Sequence, residues 1–362
     1  MDENEKLNKI LGVTEFSLYS RDALPDLTSY KFYENYCKEI SNQVKEDLIR
    51  LKKENLIRNL EFKYIPGFEI NGVSFVRNET DYIWIEEGVI IKTYNMFSEL
   101  LTHNVFPKYF TTQNEVAQIS LRYKNEEGIN EFNYTYRTSM DEKRKIIAEY
   151  LSMFSTKFII LHEIAHHFNG HILYLNKELK IDKLNIYNNN LNTEPILIQT
   201  LEMDADAFAI SQLTREVVEI INTDARLKEI CKSKYEIIGL LIYSLTCLFS
   251  MIIRTDNNDY EKISENIYLP SSMRFFNNIS CLETNLKIQA NELYKEIDFE
   301  DVLKKYMLDA QNHYNEIFDK KLDWKSFIIN SSINSEHFNK LNYYWKENRL
   351  GLEKYARCGL SN

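Results

Sequence analysis

Residues His162-Glu163-Ile164-Ala165-His166 spell HExxH. On a helix, positions four apart share a face, so the two imidazoles point the same way about one turn apart. Two neutral imidazoles at that separation suit a zinc ion, and Glu163 falls where it can reach water at the metal. The chemistry this spacing implies is metal-assisted hydrolysis with Glu163 as general base.

Two histidines leave a tetrahedral zinc one protein ligand short, with a further corner kept for water. Leu201-Glu202-Met203-Asp204-Ala205-Asp206-Ala207-Phe208-Ala209 supplies the candidates. Acids here stand on an otherwise apolar helical stretch, where an unpaired buried carboxylate is costly. Glu202 and Asp206 lie four apart on one face. Glu202 is therefore read as the third ligand, and Asp206 as the acceptor for the free N–H of one ligating imidazole. Asp204 lies two residues off that face and is the weaker acid. His167 points about 100° away from His166. His171 directly follows Gly170 and misses the HExxHxxGxxH spacing of an all-histidine site, so it reads as a helix-end or lining residue, with ligation as the alternative.

The run from His162 to His171, followed by Glu202 to Ala209, resembles the Lit-type phage-exclusion peptidases. More distantly it is similar to the HtpX-like and prenyl-protein peptidases, and all of these are glutamate-ligated zincins. The resemblance implies an intracellular defence protease that is silent until a phage-derived activator triggers it, with a target like a translation elongation factor. In the related families a His-Pro segment followed by an arginine accompanies the zinc site. Tyr268-Leu269-Pro270-Ser271-Ser272-Met273-Arg274 keeps Pro270 and Arg274 but has Leu269 where the histidine would stand. Arg274 is the candidate electrophile on that resemblance, and an arginine paired with the acidic site is the alternative.

The elements that must position these groups are read from periodicity. Ser139 and Glu142 look like a capping box opening a helix. Its stripe is Ile146, Ile147, Tyr150, Phe154, Phe158, Leu161 and Ala165, with a break expected near Ser152 and a stop at Gly170. A second helix opens at Thr193-Glu194-Pro195, with Thr193 as N-cap, and carries Leu197, Leu201, Ala205, Phe208 and Ala209 inward. Ile237 to Ile253 contains no charged residue. At 17 residues it is short of the roughly 20 needed to span a bilayer, and it reads as a buried core helix rather than a membrane-embedded one.

Residues 28–60 show helical spacing that ends near Leu56. Residues 61–137 read as strands, with a hairpin turn at Asn71-Gly72, another turn at Glu86-Glu87-Gly88, and a helix around Phe97 to Leu101. Tyr82 to Tyr94 is a candidate edge for an extended peptide. The expected organisation is an N-terminal helical segment (1–60), a small β-rich subdomain (61–137), a helical zinc-peptidase core (138–255) and an α-helical C-terminal region (256–362). The fold class is α+β, mainly α: a zincin-like core with a small antiparallel sheet and an α-rich C-terminal part.

Composition narrows the partners. The chain of 362 residues has 44 Lys and Arg against 54 Asp and Glu, a net charge of −10. That balance disfavours nucleic acid, because phosphate needs a basic face. Five scattered cysteines without CxxC spacing fit reduced thiols in a cytoplasmic protein. The acidic start at Met1-Asp2-Glu3 has no basic or apolar leader region. The expected partner is a protein or peptide substrate, with membrane association not expected. Three other readings stand beside this one. An HtpX-like membrane-associated peptidase needs 237–253 in lipid. A non-catalytic zinc-containing sensor module has no use for Glu163. An ImmA-like repressor-cleaving protease usually carries a helix-turn-helix domain, which is not seen here.

Overall fold

The HExxH pentad lies near the end of a 27-residue helix whose surface is buried on nearly every side. The computed structural model describes residues 16–18, 26–65, 67–106, 108–110, 115–125, 131–180, 183–185, 194–252, 263–320 and 331–360. In chain order the elements are β1 (Phe16–Leu18), α1 (Tyr30–Arg50), β2 (Asn59–Ile65), β3 (Gly72–Arg77), β4 (Thr80–Glu86), α2 (Glu87–Thr102), β5 (Val116–Asn125) and β6 (Glu131–Ser139). They continue with α3 (Glu142–Phe168, the HExxH helix), α4 (His171–Leu179), β7 (Lys183–Asn185), α5 (Pro195–Thr223), α6 (Ala225–Ile230), α7 (Lys234–Met251), α8 (Ser271–Gln289), α9 (Asn291–Glu296), α10 (Phe299–Phe318) and α11 (Ser331–Glu353). The fold is mainly α with a smaller β component.

The strands divide into two sheets. One is antiparallel in the order β1-β5-β6. The other runs β2-β4-β3-β7, with β2 parallel to β4 and the remaining pairs antiparallel. β4 is thus flanked on both sides. The expected edge at Tyr82 to Tyr94 is not an edge, and its second half is helical. The hairpin turn joining β3 to β4 is Asn78-Glu79, both with positive φ (47° and 60°), as a type I′ turn requires. Asn71-Gly72 is not that turn, for Gly72 opens β3. Likewise Glu86 caps α2 rather than occupying a turn, and accepts hydrogen bonds from the Glu69 amide and the Asn71 side chain.

α3 begins at Asp141, whose carboxylate accepts from the Arg144 amide, so the cap falls two residues after the expected Ser139. It runs without a break at Ser152. Gly170 stops it with φ +83°, and a Cβ there would stand 2.8–2.9 Å from the backbone of Tyr355 and Ala356. Only glycine meets both demands. α5 is capped by Glu194 with Pro195 in its first turn; Thr193 lies outside the described residues.

α3 packs against α2, α5, α7 and β3. The contacts include seams of small hydroxyls as well as apolar rows. Thr93 on α2 meets Thr156 at 2.9 Å and Ser152 at 3.2 Å, and Ser155 meets Ser244 on α7 at 2.8 Å. The main apolar cluster takes Tyr33, Ile83, Phe154, Leu213, Tyr243, Phe275 and Tyr306, from α1, β4, α3, α5, α7, α8 and α10 in turn. Lys234–Met251 is long and apolar enough to cross a membrane, but most of it is buried inside the protein, against α3, α8 and α10.

Candidate metal centre

α3 and α5 lie side by side, and their facing rows bring the motif together with the acids. The Nε2 atoms of His162 and His166 are 3.1 Å apart. Glu202 reaches across from α5, with Oε2 3.3 Å from His162 Nε2 and Oε1 3.4 Å from His166 Nε2. Among the described residues these three form the group that could hold a metal ion. Glu202 Oε2 is buried without a hydrogen-bond donor. An unsatisfied buried carboxylate oxygen is costly, and a cation at that point would satisfy it together with two imidazole lone pairs.

Asp206, one turn beyond Glu202, accepts from His162 Nδ1 at 2.8 Å. Arg274 on α8 grips the same carboxylate with two bonds, Nε to Oδ2 at 2.8 Å and Nη2 to Oδ1 at 2.7 Å. Asn278, four residues on, adds a third donor at 3.3 Å. Arg274 comes within 4.0 Å of Glu202 Oε2. Burial opposes ionisation of Asp206, but Arg274 and His162 outweigh it and hold the carboxyl well below its ordinary range. Leu269 sits in an apolar cluster with Ile263, Met273 and Leu341, and Pro270 precedes the first turn of the helix that carries Arg274.

Glu163 faces β3. Ser74 donates to its Oε2 at 2.7 Å. Gly72 lies so close that a Cβ would stand 2.7 Å from both Cγ and Oε1 of Glu163. Burial raises the Glu163 carboxyl to about 7. The enclosure is tight throughout: His162, Glu163, His166 and Glu202 are 5, 3, 2 and 3 % exposed.

The two remaining histidines of the run turn away from the group. His167 donates from Nε2 to the Tyr82 carbonyl at 3.0 Å, and burial lowers it to about 4, so it is neutral beside Asp81. His171 meets His166 on the side away from Glu202, Nδ1 to Nδ1 at 3.0 Å, and its Nε2 lies 3.0 Å from Asp204. Asp204 thus has a partner in the site although it sits off the Glu202 face. Ser74, Asn278 and Asn169, which donates to Asp204, carry no role in the sequence reading, and Gly72 appears there only as part of a hairpin turn. Asn278 carried one signal, its i+4 spacing from Arg274 on a helix.

Residues 124–294 match the model of the Peptidase U49 family. That span holds His162, Glu163, His166, Glu202, Asp206 and Arg274, and it supports a peptidase family and so a hydrolase acting on peptide bonds. No curated protein and no solved structure matches the chain.

Proposed function

We propose that this protein is a zinc-dependent endopeptidase. The observation that carries the reading is the convergence of two imidazole nitrogens and an unsatisfied carboxylate oxygen beside a buried glutamate, within the span matched to a peptidase family. The three separations, 3.1, 3.3 and 3.4 Å, are those expected of zinc ligands, since tetrahedral bonds of about 2.0–2.1 Å set ligand atoms about 3.3 Å apart. His162, His166 and Glu202 would hold the ion. When bound, it supplies Lewis acidity, acidifying water and polarising a carbonyl oxygen.

The chain's own residues do the rest. Ser74 fixes one oxygen of Glu163 by donating to Oε2, which leaves Oε1 for a proton. Glu163 takes that proton from the attacking water and passes it to the leaving amine. Asp206 holds His162 through Nδ1, so its Nε2 lone pair faces Glu202. Arg274 is bound to Asp206 by both donors named above. Its role is to neutralise and orient that carboxylate, and it brings a positive charge within 4.0 Å of Glu202.

The resemblance to Lit-type peptidases extends the reading to an intracellular, cytoplasmic phage-defence protease that cleaves a host protein such as a translation factor when a phage component triggers it. The near-complete enclosure of the four central groups favours a restrained resting state. The membrane-associated alternative needs α7 in lipid, where its packing against α3, α8 and α10 disfavours it. Metal analysis of the purified protein, with proteomics of cells expressing wild type against Glu163→Gln, tests the proposal. About one zinc per chain and cleavage products confined to wild type are expected. Metal-free protein, or the same products from Glu163→Gln, refutes it.

A further inference from the structure

His162 has its carboxylate support directly, from Asp206. His166 has none in direct contact through Nδ1, where another imidazole stands instead. We infer that His171 and Asp204 form a two-residue relay that positions His166 as a metal ligand and sets the affinity of the site. The inference rests on the zinc reading above and adds two positioning residues to it.

The argument is a proton count. His166 Nε2 faces Glu202 and His162, so a ligating His166 keeps its lone pair on Nε2 and its hydrogen on Nδ1. That hydrogen meets His171 Nδ1 at 3.0 Å, which must then be a bare lone pair. The hydrogen of His171 therefore lies on Nε2, 3.0 Å from Asp204 Oδ2. Every hydrogen in the chain has one acceptor, and the tautomer of each ring is fixed by the next group. The same Asp204 oxygen accepts from Asn169 at 2.5 Å, and Asn169 Oδ1 accepts from Cys358 Sγ at 3.0 Å.

The backbone is bent to allow this. On a continuous helix, a residue five positions after His166 would lie about 140° around the axis. Gly170, at φ +83°, ends α3 and redirects the chain so that His171 opens α4 with its ring against His166. His171 is fully buried, and Asp204 is 6 % exposed. A ring serving only as filler in that position would have no use for a buried carboxylate, which is costly unless paired.

The test uses the full chain, its zinc affinity by competition with a chromophoric chelator, and the visible spectrum of the cobalt(II)-substituted protein. His171→Leu keeps the bulk but loses both bonds. It should weaken zinc about 10–100-fold and shift the cobalt bands. His171→Asn, whose oxygen accepts from His166 but falls short of Asp204, should lie between Leu and wild type. His171→Leu and Asp204→Leu act through one chain, so the double variant should bind zinc no more weakly than the worse single. Either combined with Asp206→Ala should show multiplied losses, because Asp206 serves the other ligand. Unchanged affinity and spectrum in His171→Leu, or multiplied losses between His171→Leu and Asp204→Leu, overturn the relay alone. Should the leucine variants fail to fold, His171→Asn and Asp204→Asn decide: zinc weakened in both is expected, and wild-type affinity in both overturns the relay. Wild-type protein that takes up no zinc overturns the zinc reading, and the relay with it.

Discussion

Two buried clusters near the end of α3 are built from the same residue types. In one, Asp206 holds Arg274 and His162. In the other, Asp81 is fully buried, accepts from Arg58 Nε at 2.9 Å, pairs with Arg357, and lies beside His167. The difference is where the second nitrogen of each imidazole goes. His162 turns it toward Glu202 and His166, into the group that could hold a metal. His167 donates its own to the Tyr82 carbonyl, a bond that ties α3 to β4 and leads no further. A carboxylate, an arginine and a histidine in contact are therefore no signature of chemistry by themselves. What sets the first cluster apart is the second carboxylate and second imidazole that His162 Nε2 meets.

The contrast can be sharpened or broken by substitution. Glu163→Gln leaves both clusters intact and should lower turnover by about 10²–10⁴-fold while zinc content stays at wild-type level. Zinc analysis beside a cleavage assay checks this, and full activity would remove Glu163 from the mechanism. Asp206→Ala strips His162 of its support and leaves Arg274, largely enclosed, with only the more distant Glu202 carboxylate at 4.0 Å. Zinc affinity should fall about 10–100-fold, and urea unfolding should show a loss of about 3–5 kcal/mol. Asp81→Ala should cost a comparable amount of stability, with Arg58 and Arg357 both left uncompensated, yet leave zinc affinity within about twofold of wild type. A large loss of zinc in Asp81→Ala would break the division between the clusters. The smallest effect is expected from Gly72→Ala, whose added methyl crowds Glu163. Overpacking there should cost about 1–3 kcal/mol and depress turnover more than zinc binding.

The helical half was legible because its signals are local. The stripe from Ile147 to Ala165, the stop at Gly170 and the start at Pro195 each depend on residues within a few positions. The pairing of Glu202 with the motif could be read because a run of acids on an apolar face demands a partner. The β half misled for the complementary reason. Asn71-Gly72 carries the usual hairpin signal, but that glycine is needed because Glu163 presses on β3, a contact far away in sequence. The true turn, Asn78-Glu79, has no glycine to announce it. Spacing rules also left His171 as a helix-end or lining residue, with ligation as the alternative. They count positions along one helix, and Gly170 bends the chain between the two rings. The pairing of Asp81 with Arg357 joins distant parts of the chain and had no local trace.

The hydroxyl seams along α3 bear on how so closed a pocket could admit a polypeptide. Sliding α3 past α2 or α7 would break the Thr93–Thr156 and Ser155–Ser244 contacts, at about 1–3 kcal/mol for any hydroxyl left buried without a partner, although Thr93 keeps its bonds to the Val89 and Ile90 carbonyls. The rod bearing the two imidazoles is thus keyed into its neighbours like a bolt in a slotted channel. Those contacts favour access by parting of the surrounding walls over movement of the rod itself.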